Sequence, residues 1–149
     1  MNDLLSAFSP VDFAASFPST SRAYIADSIR AGVDPLQLAA ELANSPAQGL
    51  ATKGWPRWPS DLLQRIMGEV HTLLCSDDGK YQTLRDKLRA EAHLTAQVIT
   101  ALVANAVSVS LGLAPALCVP FVALTLAAAV KVGLGAWCQA STPPTSVPS

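Results

Sequence analysis

AHLTAQVITALVANAVSVSLGLAPALCVPFVALTLAAAVKVGLGAWC, residues 92 to 138, carries a single formal charge, Lys131. It is also the only charge in the 58 residues after Glu91, while the other twenty charged side chains all stand at or before Glu91. An apolar stretch of this length is not left facing water, so it must be covered by lipid or by protein. Gly112 and the Pro115 to Pro120 segment interrupt it, which predicts two helices folded into a hairpin, the second running from about Pro120 to Cys138.

Small side chains recur at every fourth position of this stretch. Ala96, Thr100, Ala104, Ser108 and Gly112 form one ridge, and Thr125, Ala129 and Gly133 form another. Such ridges let two helix backbones approach closely. Ala104, Ser108, Gly112, Ala129 and Gly133 are therefore the expected helix-packing or oligomer contacts, and a bulky residue at Gly112 or Gly133 is expected to separate the helices. Residues 96 to 114 and 116 to 134 each supply 19 positions without an acidic group, roughly enough to cross a ~30 Å hydrocarbon layer. In lipid, Lys131 would snorkel to the interface beside Trp137. In a soluble protein it would mark an exposed stripe flanked by Leu124, Ala127 and Ala128.

Working back toward the N-terminus, the chain reads as ordinary amphipathic helix. From Lys80 no glycine or proline occurs before Gly112, so one helix of about 30 residues is expected, with a potential break near His93. Ahead of it, Leu63, Ile66, Met67, Val70, Leu73 and Leu74 follow the helical period, with Ser60 as cap and a turn over Cys75 to Gly79. Ser9-Pro10-Val11-Asp12 and Asp34-Pro35 each join a capping side chain to a proline at the first helical position. Between them Ser19 or Ser21 opens a helix ending at Gly32. Residues 45 to 59, with Trp55-Pro56-Arg57-Trp58-Pro59, read as an extended loop. Trp55 and Trp58, like Trp137, are candidate aromatic contacts for a partner, the protein's own core or a membrane interface.

The expected architecture is all-α: a polar helical cluster at 1–91, an apolar hairpin at 92–140 and a disordered tail at 141–149. Composition narrows the function classes. Only 14% of residues are charged, against roughly 25% in average soluble domains, which favours membrane contact or a buried subunit. A net charge of -1 lacks the cationic footprint of a nucleic-acid binder. The Tyr24 to Leu42 region resembles a helix-turn-helix in layout, but its second helix has no basic residue.

Cys75, Cys118 and Cys138 are odd in number and widely spaced, which reads as free thiols in a reducing compartment. His71 and Cys75 lie four apart, as a metal pair would, yet no second pair completes a site. Cys75, His71 and Asp77 can be assembled into a nucleophile set, but nothing in the sequence fixes their geometry. No basic, apolar leader is visible at Met1 to Phe17.

The expectation is thus a non-enzymatic protein without cofactor or metal, anchored to a membrane through the hairpin, its N-terminal part cytoplasmic and offered to a protein partner or to a second copy. The alternative is a cytoplasmic, soluble accessory subunit with the hairpin buried in its own core or a larger complex. A third reading is a membrane-permeabilising effector with Asn105, Ser108 and Ser110 as a polar strip.

Overall fold

The computed structural model describes residues 2–44, 61–91 and 93–140. The expected loop with Trp55 and Trp58, the Ser60 cap and the tail at 141–149 lie outside them. Among the described residues the fold is all-α: α1 (Asn2–Leu5), a 3-10 helix (Pro10–Ser16), α2 (Ser19–Arg30), α3 (Pro35–Asn44), α4 (Leu62–Cys75), a 3-10 turn (Gly79–Tyr81), α5 (Gln82–Ala90), α6 (Ala96–Leu111), α7 (Pro115–Val132) and α8 (Leu134–Ala140).

Local chemistry explains the starts. The Asp12 carboxylate accepts from the Ser9 N–H at 2.8 Å, fixing the turn into Pro10. Asp34 Oδ1 accepts from the Leu36 N–H at 2.9 Å, one of the donors that a new helix leaves orphaned. Thr95 does the same for α6, its hydroxyl accepting from the Val98 N–H at 3.1 Å. That cap is why the long helix expected from Lys80 divides: Glu91 is extended, α5 ends at Ala90 and α6 begins afresh at Ala96.

The second apolar helix departs from expectation at both ends. It begins at Pro115 rather than Pro120, with Pro115 in the first turn and Pro120 inside the helix. Pro120 removes the bond to the Ala116 carbonyl, and Ala116 is exposed, so the loss falls where water reaches the first turn. At the other end Gly133, at φ +95°, closes α7 and starts the separate α8. A positive φ there is open to glycine at little cost.

The Pro10–Ser16 helix, α3, α4, α6 and α8 all pack on α7. Phe121 through Ala129 are buried without a break, covered by α6, the Pro10–Ser16 helix, α3, α4 and α8. A nine-residue run samples every direction around a helix of 3.6 residues per turn, so α7 has no solvent face over this length. Leu124, Ala127 and Ala128 lie in the core rather than beside an exposed Lys131 stripe. Lys131 itself is exposed at the helix end, where its ammonium donates to the Gly32 carbonyl at the end of α2, 3.3 Å away. One buried cluster draws on both halves of the chain, from Phe13, Leu38 and Ile66 to Val103 and Leu126. Each large apolar side chain fully withdrawn from water contributes about 1.5–3 kcal/mol.

Candidate association element: the apolar hairpin and its anchors

α6 and α7 are joined by residues 112–114 and pack closely on each other, the arrangement of a helical hairpin. Gly112 takes φ +72°, and both its own N–H and that of the next residue, Leu113, return to the Ser108 carbonyl, the latter at 2.9 Å, a closure typical of a glycine-ended helix. Ala96, Ile99, Thr100, Val103, Ala104, Val107 and Ser108 line the buried face of α6. Gln97, Val98, Ala101, Asn105 and Val109 lie on its exposed face, Val109 at 77%.

The five ridge residues separate into two kinds. Ala104, Ser108 and Ala129 are buried within the chain. Gly112 and Gly133 stand at helix ends, with open space where a Cβ would go, and their part within the monomer is conformational. The polar members of the ridges are satisfied locally: Thr100 Oγ1 donates to the Ala96 carbonyl at 2.8 Å, Ser108 Oγ to the Asn105 carbonyl at 2.7 Å and Thr125 Oγ1 to the Phe121 carbonyl at 2.7 Å. Hydroxyls bonded to their own helix need no partner across the interface.

Three anchors tie α4 to the elements around it. Glu69 on α4 gathers three donors onto one carboxylate oxygen: Lys80 Nζ at 2.7 Å, the Tyr81 hydroxyl at 2.5 Å and Ser110 Oγ, from the end of α6, at 2.9 Å. Burial pushes the Glu69 carboxyl up, but the donors together outweigh it and hold the group below the usual carboxylate range. Tyr81 is raised by burial and by donating to Glu69.

The second anchor is Arg85, only 3% exposed. Its Nε donates to the Leu73 carbonyl at 2.9 Å, Nη2 to Thr72 at 2.9 Å and Nη1 to Asp78 at 2.7 Å. The guanidinium thus closes the C-terminus of α4, where a cation also meets the negative end of the helix dipole.

The third anchor corrects the reading of the cysteines. Cys75, the last residue of α4, is joined to Cys138 in α8 by a disulfide, with Cα atoms 5.7 Å apart and a sequence separation of 63. Only Cys118 is a free thiol, and it is buried. A disulfide persists in oxidising surroundings, not in the reducing ones expected of three free thiols. His71 donates through Nε2 to the Cys138 carbonyl at 3.2 Å, and its ring lies 5.8 Å from that of Trp137. Trp137 is 2% exposed, so it belongs to the protein's own packing. The sulfur of the paper nucleophile set is therefore oxidised, and its histidine is engaged with α8. Among the described residues no three His, Cys, Asp or Glu side chains converge as metal ligands.

A cavity of about 210 Å³ lies between α1 and the α7–α8 junction, lined by Leu5, Phe8, Ala129, Val130 and Leu134 among others. Sequence reasoning missed Glu69, Arg85 and the disulfide. No local pattern announces them, because their partners stand 7 to 63 positions away in sequence. Comparison with protein-family models, curated proteins and solved structures found no match, so the geometry carries the functional reading.

Proposed function

We propose that this chain is a small, non-enzymatic helical accessory protein that keeps its apolar hairpin inside its own core and acts by presenting its outer helices to a protein partner. The observation that carries this reading is the unbroken burial of Phe121 to Ala129. Lipid exposure of α7 would first require stripping the Pro10–Ser16 helix, α3, α4 and α8 from it, at the cost of the apolar burial they share. The full chain, expressed without detergent, is expected to behave as a monodisperse soluble species. Retention in the membrane pellet after an alkaline carbonate wash would refute it.

A second reading rests on α7 itself. Its 18 residues have a mean hydropathy of 1.9, and it is the one described helix long and apolar enough to cross a membrane. Its length of ~27 Å approaches the hydrocarbon thickness, whereas α6, with 16 residues, reaches ~24 Å. On that reading the hairpin is an anchor with Ala104, Ser108, Gly112, Ala129 and Gly133 at helix contacts, the polar cluster on the cytoplasmic side. Dye release from liposomes would further mark it as a permeabilising effector.

A further inference from the structure

We infer that the Cys75–Cys138 disulfide is a redox latch on α8, so that its reduction undocks this helix while the bundle around α7 stays folded. The inference does not depend on which association the outer helices or the hairpin serve.

α8 has only seven residues, too few to hold a helix by itself in water. Its link to α7 is Gly133, at φ +95° with nothing near the place a Cβ would take, a residue type that reaches either sign of φ at little cost. Besides the disulfide, it is held by buried Leu134 and Trp137, by the His71 bond to the Cys138 carbonyl and by packing on α1 and α4, and Gln139 is engaged as well. The grip of Trp137 is imperfect: its indole N–H is buried with no acceptor among the described residues, a cost that release removes. Phe121 to Ala129, by contrast, are enclosed by four other helices as well, so the core does not depend on α8. Both bonded cysteines are half-buried, leaving the bond within reach of a reductant.

The chemistry is thiol–disulfide exchange with a dithiol reductant. Its thiolate attacks one protein sulfur, forming a mixed disulfide and expelling the other cysteine, which takes up a proton. The reductant's second thiol then displaces the remaining protein sulfur. Two electrons and two protons pass to the protein, leaving thiols at Cys75 and Cys138 and a disulfide in the reductant. Release uncovers Leu134, Trp137 and the face of His71.

Hydrogen exchange on the full-length protein, oxidised and then treated with dithiothreitol, tests the latch. On reduction, amide protection across residues 135–140 is expected to fall at least about tenfold, while α6 and the Phe121 to Ala129 stretch stay within about twofold. Cys138→Ser in oxidising buffer should reproduce the reduced pattern without any reductant. Unchanged protection in α8 would make the bond a passive staple and overturn the inference. Loss of protection throughout α6 and α7 would overturn it equally, as would three titratable thiols in protein kept under oxidising conditions.

Discussion

Replacing Arg85 with methionine keeps most of the side-chain volume and removes the guanidinium donors that close α4. The three carbonyls that lose a partner are not equivalent. Leu73 is buried, so its carbonyl is left orphaned, at about 1–3 kcal/mol. Thr72 keeps a second donor, Ser76 Oγ at 2.7 Å, and Asp78 is exposed, so these two lose only ordinary net bonds of about 0.5–1.5 kcal/mol each. Relief from burying the guanidinium offsets part of the sum, leaving a net destabilisation of about 2–4 kcal/mol. For a chain of 149 residues that lowers Tm by roughly 5–15 °C. Urea unfolding followed by far-UV circular dichroism, with the disulfide kept oxidised, measures it as a shift in midpoint at constant slope. Arg85→Lys supplies the charge without the planar fork and should recover less than half of the loss. A methionine variant within about 0.5 kcal/mol of the parent, the ordinary range of a surface substitution, would refute the capping argument.

Further outcomes follow from other positions. Glu69 has a folded-state pKa below its ordinary value of 4.5, so it contributes stability that is present above pH 4.5 and lost as the pH falls through the depressed value. Between those two values acid unfolding should be steeper in the parent than in Glu69→Gln, read by circular dichroism against pH. Ala104→Leu should cost about 1–3 kcal/mol through overpacking of the α6–α7 contact, whereas Val109→Lys, on the exposed side of the same helix, should stay within about 0.5 kcal/mol; thermal melts of the pair separate the two faces. Gly133→Ala should cost about 1–3 kcal/mol, because φ +95° with ψ 134° is backbone that a side chain rarely adopts, and a neutral result would show that the α7–α8 junction readily adopts another conformation.

What could be read from residues alone depended on the range of the interaction. The change of character at Glu91, the proline starts at Pro10 and Pro35 and the stop at Gly112 are effects of neighbours within a turn or two. Periodicity also placed Ile66, Val70 and Leu73 on the buried face of α4. Gly133 was ambiguous, since a glycine on a fourth-residue ridge looks like a packing contact until its φ is known. Pro120 looked like a boundary because the exposure of Ala116, which lets the helix tolerate it, is a tertiary fact. Nothing local sets Arg85 apart from Lys87 and Arg89, and its burial exists only because α4 ends beside it. The Cys75–Cys138 pairing had no sequence signal at all.

The helix on which the Pro10–Ser16 helix, α3, α4 and α6 all lean follows the four of them in the chain. When Gly112 leaves the ribosome, the Pro10–Ser16 helix, α3 and α4 have all been made, but each still shows water the side meant for residues not yet translated. The tie from Lys131 back to Gly32 spans 99 positions, an unusually remote contact for an α-helical chain. Assembly around α7 must therefore await its synthesis, and folding should be slower than in bundles built from adjacent helices. Until then the nascent chain is the species most in need of a chaperone.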